Sequence, residues 1–202
     1  MKKTILIVEG GATGPNSKEL DVRCREGFHK LLKEQGFAGR MPRIVPMGGR
    51  GQAFEGFKNA QRSSANGYVG LLVDSEDPVE NLEATWQHLK KRDQWDCPPS
   101  AENDQVLFMT TCMETWIVAD RDTLRSHYGS NLQENALPNL TDLESQGRHS
   151  VQDKLVRATR NCSNAYAKGK KSFEILGKLR PATLAKHLPS FARVIRILKA
   201  KL

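Results

Sequence analysis

A chain of 202 residues with 38% hydrophobic and 27% charged side chains can bury one sizeable core, and it contains no apolar run long enough to cross a bilayer. Its four cysteines form no C-x-x-C pair and its five histidines no H-x-x-x-H pair, which argues against a zinc ribbon or a disulfide framework. The net charge of +8 is uneven: residues 151–202 hold 13 Lys or Arg against 2 acidic residues, and residues 1–150 hold 18 against 21.

The start, MKKTILIVEGG, pairs two lysines with a short apolar run, as a signal peptide would. Glu9 cuts the run short and no small-residue cleavage site follows, so the reading is a strand in a cytoplasmic protein. Residues 3–8 are rich in β-branched side chains, as suits a buried parallel strand. From residue 17 the pattern turns helical, with Leu20, Cys24, Phe28 and Leu31 on one stripe and Gly36 as the stop. A weaker strand is expected over 43–47, where Pro46 argues against a fully central place, followed by a helix over 52–64. Residues 68–73, YVGLLV, form the clearest buried strand and end in DSEDP. Asp77 before Pro78, with Glu80 three positions on, reads as the cap of a helix running to residue 93. A fourth strand is expected over 105–110, then a short helix, a turn and another helix over 112–129. Residues 131–147 are polar and read as a loop. The last helix, from Pro189, turns Phe191, Val194, Ile195 and Leu198 inward and Arg193, Arg196 and Lys199 outward. Strand–helix alternation predicts an α/β fold, with a mostly parallel sheet of about four strands flanked by helices and a helical C-terminal region. The expected division is a core over 1–130, a linker over 131–150 and a basic helical region over 151–202.

The stretch after the first strand, EGGATGPNSK, invites a phosphate-cradle reading. A Walker A loop needs G-x-x-x-x-G-K-[ST], and here Lys18 is out of register. The dinucleotide fingerprint fits at Gly11 and Gly14 but puts Glu9 in its first glycine position, where a carboxylate would face the pyrophosphate. The carboxylates carry more chemistry. Glu9 ends the first strand, and Asp74, Glu76 and Asp77 follow the strand 68–73. Ligand crevices of open parallel sheets lie at the C-terminal ends of the strands, so neighbouring strands would converge these groups. Clustered carboxylates repel unless a cation sits among them, and hard oxygen ligands suit Mg²⁺ or Mn²⁺.

A strand ending in VEGG and a later one ending in VDSED resemble the Toprim domain, the metal-binding module of primases, topoisomerases, OLD-type nucleases and small ribonucleases. That resemblance implies Glu9 as general acid/base or metal ligand and Asp74 and Glu76 as ligands, with Glu76 standing where the pattern has a second aspartate. The segment FMTTCMETWIVADRDTL and the tail from Tyr166 are similar to an uncharacterised bacterial Toprim-like family. Its members resemble Toprim components of anti-phage and abortive-infection systems, some encoded beside ABC-type ATPases. The likeness implies Glu114 as a further acidic site residue and an ABC-type ATPase as partner, and it sets Tyr166, Lys168, Lys170 and Lys171 near the crevice mouth. Glu114 also reads as a helix-start carboxylate complementing the dipole, and the lysines as a solvated basic loop.

Two functions follow. One is a Mg²⁺-dependent nuclease, a phosphodiester hydrolase with catalytic residues Glu9, Asp74, Glu76 and Glu114, possessing a basic tail whose Lys168, Lys170, Lys171, Arg193 and Arg196 bind nucleic acid, DNA or RNA. The other is a non-catalytic module that binds nucleic acid, nucleotide or the ATPase. The basic C-terminal quarter suits a polyanion in either case, or else serves only as a solvated face.

Overall fold

The computed structural model describes residues 3–11, 17–63 and 66–202, so the glycine-rich stretch from 12 to 16, Gly14 included, lies outside the described residues. Four parallel strands, β1 (Lys3–Val8), β2 (Arg43–Pro46), β3 (Asn66–Asp74) and β4 (Val106–Met109), form one sheet in the order β2-β1-β3-β4. Parallel central strands are covered on both faces, which is why β1 and β3 read as continuous apolar runs.

Side chains alternate across the sheet and divide the core in two. Ile5 and Ile7 of β1, with Leu71, Val73 and Phe108, meet one helical layer: α2 (Arg50–Gln61) through Phe54 and Phe57, and α3 (Thr85–Asp93) through Trp86 and Leu89. Leu6, Val8, Leu72 and Leu107 face the other layer. There α1 (Ser17–Leu32) contributes Phe28 and Leu31, and α4 (Met113–Ala119) contributes Trp116. Next in the chain come α5 (Arg121–Tyr128), α6 (Arg148–Thr159), α7 (Lys170–Leu176), α8 (Pro181–His187) and α9 (Pro189–Lys201). The ring of Trp116 meets Phe28 and Phe191 edge-on, tying α1 and α9 to the same cluster. Residues 131–147, read as a polar loop, carry short 3₁₀ turns, and Leu143 is fully enclosed.

Two helix readings change. The helix after β3 begins at Thr85, not at Pro78. Asn81 Oδ1 accepts the Glu83 N–H at 2.9 Å, a local turn that competes with helix, and Asn103 Oδ1 receives the Trp86 N–H at 3.0 Å where the helix does start. Asp77 therefore caps no helix; it pairs with Arg92 at 3.1 Å. In α9, Phe191, Val194, Ile195 and Leu198 are buried as expected, but Arg193 is buried with them. Its guanidinium donates to the carbonyls of Val106 and Asn103 at 2.8 Å each, satisfying backbone acceptors at the start of β4.

α3 thus starts beside the segment that leads into β4, and its end lies near the C-terminal edge of β3. Its last turn faces the crevice.

Candidate functional site

Adjacency of β1 and β3 decides the site. With Val8 in register with Leu72, the strands end together, and the Glu9 N–H donates to Leu72 O at 2.8 Å. Glu9 then turns its carboxylate across the strand end, where Oε2 accepts the Asp74 N–H at 3.1 Å. Asp74 in turn receives the Met113 N–H on Oδ1 at 2.9 Å, at the first turn of α4. One oxygen from each of Glu9, Asp74 and Glu76 lies within 4.8 Å of the others. A cleft of about 410 Å³ opens over Glu9 and Asp74, walled by Met113, Glu114, Lys168 and Ser172.

The glycines after Glu9 shape this edge through backbone geometry. Gly10 and Gly48 exchange N–H···O bonds of 2.9 and 2.8 Å, hooking the end of β1 to the loop after β2. Both Gly10 (φ +144°) and Gly11 (φ +96°) adopt conformations that L side chains rarely reach, and a Cβ on Gly11 would lie 2.1 Å from an Asp21 oxygen.

Burial raises both Glu9 and Asp74, with Arg50 beside them. Burial pushes Glu9 up from the ordinary carboxylate range, and Arg50, 3.7 Å away, offsets part of that. Burial pushes Asp74 well above that range, and the neighbouring Glu9 and Glu114 carboxylates add to it.

Glu76 is in a different state. It is nearly enclosed, adopts a left-handed backbone (φ +69°), and pairs with Arg92 at 3.2 Å and with Arg148 of α6. Arg92 also holds Asp77 and Asp93, and Asp93 grips Arg50 with bonds of 3.2 and 2.6 Å. These two guanidiniums pull the Asp93 carboxyl below its usual range despite its burial. Arg50 completes the bridge by donating to the Asp74 carbonyl.

Glu114 is buried beside Asp74 with both oxygens engaged: the Tyr166 hydroxyl donates at 2.6 Å and the Gln152 amide at 3.1 Å. Burial and this carboxylate hold the Tyr166 hydroxyl protonated, as a donor. Burial pushes the nearby Cys112 thiol up to about 12, which makes it a core group and not a nucleophile.

Among the tail cations, Lys168 reaches the cleft wall, 3.8 Å from Glu114. Lys170 and Lys171 line an adjoining groove with Arg23 and Lys30; Lys170 pairs with Glu19 at 2.6 Å, and Lys171 donates to Ala165 O. Arg193 and Arg196 are not brought to the cleft. They pair with Glu83, and Arg193 sits at the N-terminal end of β4, the opposite end from Asp74 and Met109.

Sequence reasoning did not single out Arg50, Arg92, Asp93, Arg148 or Gln152. Arg50 alone had a positional signal, since it opens the helix after β2, next to the loop that must border the crevice.

A divalent cation fits the donor set in part. Hard oxygens converge, and burial raises both Glu9 and Asp74 by more than Arg50 offsets. Glu76 carries both arginines on Oε2, so the ion would compete with them for this carboxylate.

The family model described as "Domain of unknown function (DUF4276)" matches residues 24–199, and the chain belongs to that family. No curated protein and no solved structure matches the chain. Among the described residues, no helix is long and apolar enough to cross a membrane.

Proposed function

We propose that this DUF4276 chain is a Toprim-type, Mg²⁺- or Mn²⁺-dependent phosphodiester hydrolase acting on nucleic acid. The observation that carries the reading is the meeting of Glu9, Asp74 and Glu76 at the C-terminal edge of two neighbouring parallel strands, beside an open cleft. Glu9 and Asp74 would hold the ion, with Glu76 as a third ligand. When bound, the ion supplies charge neutralisation and polarisation of a phosphoryl oxygen. The chain's own groups do the rest. Where Glu9 does not ligate the ion, its carboxyl, pushed up by burial, would take a proton from attacking water. Lys168 faces the cleft where a phosphodiester would lie, and the groove lined by Lys170 and Lys171 extends that positive surface. Glu114, tied by Tyr166 and Gln152, holds its place in the wall through two hydrogen bonds.

A second reading, a non-catalytic binding module, is favoured by one observation: Glu76 is already neutralised by two arginines. Incubating DNA, RNA and tRNA with Mg²⁺ or Mn²⁺, beside Asp74→Asn, separates the two. Metal-dependent cleavage lost in Asp74→Asn supports hydrolysis, and equal cleavage by the variant overturns it. An ABC-type ATPase partner belongs to the same proposal, so an inert isolated chain is assayed again with that partner before the binding module is preferred.

A further inference from the structure

Glu76 is the carboxylate best placed to complete a metal site and also the one most firmly occupied. Its two guanidinium partners differ in what else holds them. Arg92 remains paired with Asp77 and Asp93 if Glu76 departs. Arg148 stands at the first position of α6 with 34% of its side chain exposed, and its ion pair is with Glu76, whose side chain is only 9% exposed. Releasing Glu76 therefore leaves Arg92 compensated by its two aspartates, and Arg148 with only a longer-range attraction to Glu9 and its side chain partly open to solvent. Arg148 meets Glu76 through one contact, Nη1 to Oε2, and a guanidinium takes a phosphate oxygen as readily as a carboxylate oxygen, so one acceptor can replace the other.

Resting on the metal-centre reading above, we propose that Arg148 is the phosphate-binding residue of this cleft and that Glu76 occupies it in the free protein. Arrival of a phosphodiester oxygen draws Arg148 away and leaves Arg92 as the one guanidinium on Glu76, so that a cation beside Glu9 and Asp74 competes with a single arginine for it. Metal and phosphodiester then bind with positive coupling, and the coupling is reciprocal. The free protein is held in a state with an incomplete ligand set. That arrangement withholds hydrolysis until substrate is in place.

The test is a Mn²⁺ titration followed by electron paramagnetic resonance of the free ion, with Mn²⁺ held by DNA alone subtracted. Wild type, Arg148→Gln and Arg148→Lys are titrated alone, with a ten-nucleotide single-stranded DNA, and with the same ten-mer carrying uncharged methylphosphonate linkages. Wild type should bind Mn²⁺ about five-fold tighter or more with the phosphodiester DNA, the lower end of ordinary coupling, and should be unmoved by the methylphosphonate. Arg148→Gln should bind Mn²⁺ that tightly without DNA and gain nothing from it. Arg148→Lys keeps the charge without the fork and should fall between; it also carries the test if the glutamine variant fails to fold. The proposal is overturned if DNA tightens Mn²⁺ binding as much in the Arg148 variants as in wild type, or if affinity is the same in every case. Asp74→Asn serves as the separate arm. Mn²⁺ bound equally by that variant removes the metal centre itself, whereas loss there with unchanged Arg148 variants removes only the exchange.

Discussion

Asp74→Asn should stabilise the metal-free protein while abolishing its response to metal. The variant keeps the size of the side chain and an Oδ1 that can still accept the Met113 N–H, now held at 2.9 Å. It deletes one of three carboxylates whose oxygens lie within 4.8 Å of one another. Two unit charges at that spacing repel by about 3.5 kcal/mol at an effective dielectric near 20, and by ~1 kcal/mol in water-like screening. The cleft is open and Arg50 sits 3.7 Å from Glu9, so the lower part of that range applies, roughly 1–2 kcal/mol. At about 2–4 °C per kcal/mol for a chain of this size, the metal-free variant should melt roughly 2–8 °C above wild type. Wild type with Mg²⁺ at a hundred times its dissociation constant should gain about 2.7 kcal/mol, and the variant essentially none. Thermal unfolding with EDTA and with Mg²⁺ reads both. The pH dependence supplies a sign. Burial raises the folded-state values of Glu9 and Asp74 above those of the unfolded chain. Their contribution to stability is therefore full below the unfolded values, and it is lost as pH rises through the folded ones. The advantage of Asp74→Asn should be largest at pH 8 and shrink on acidification toward the ordinary carboxylate values near ~4. A metal-free variant that melts below wild type at pH 8, or a wild type indifferent to millimolar Mg²⁺ and Mn²⁺, would refute this reasoning.

Gly27→Ala should cost about 1–3 kcal/mol in urea unfolding, because its Cβ would lie 2.6 Å from the Phe173 carbonyl where α1 packs against α7, and a backbone atom does not yield as a side chain does. Arg193→Ala should cost a similar ~1–3 kcal/mol by removing the guanidinium that donates to the Val106 carbonyl and shares the Asn103 carbonyl with the Thr85 hydroxyl, yet leave nucleic-acid affinity unchanged; a selective loss of affinity would return Arg193 to the binding surface. Replacing Lys168, Lys170 and Lys171 together by Gln should lower the salt slope of DNA binding by up to about three, one per phosphate contact, and an unchanged slope would make this segment a solvated face.

The fold is legible where one physical demand dominates the sequence. β1 and β3 must be apolar on both faces, so their runs are continuous and their ends visible, and Glu9 and Asp74 mark those ends. The apolar stripes of α1 and α9 follow from burial of one face. Arg193 escapes that logic because what it buries is a charge satisfied by backbone carbonyls 87 and 90 residues away in the chain. The start of α3 escapes because Asp77, Pro78 and Glu80 form a good local cap, and the Asn81 turn and the distant Asn103 outweigh it. A local signal was beaten by tertiary partners.

The site divides along the same line. Its acidic half is written at strand ends, where position alone gives a carboxylate meaning. Its basic half is not, because Arg50, Arg92 and Arg148 are three among 31 lysines and arginines, and their importance exists only after folding. Arg92 reaches Glu76 because α3 ends, and does not begin, beside the crevice, so a helix C-terminal turn that would ordinarily lie at the far edge of a parallel sheet supplies Arg92 and Asp93. Arg148 arrives from beyond the polar segment 131–147, which holds α6 against α4. The result is a cleft whose carboxylates are not equivalent. Glu9 and Asp74 are held up by burial, and Glu76 is compensated by guanidiniums, within 4.8 Å of each other. A cation added to such a cluster is attracted by the first two and must compete with arginines for the third. A polyanion meets the reverse: it is repelled by the first two and attracted to the arginines. Each ligand would therefore relieve the obstacle to the other, and that mutual relief is the physical content of the coupling proposed between metal and phosphodiester.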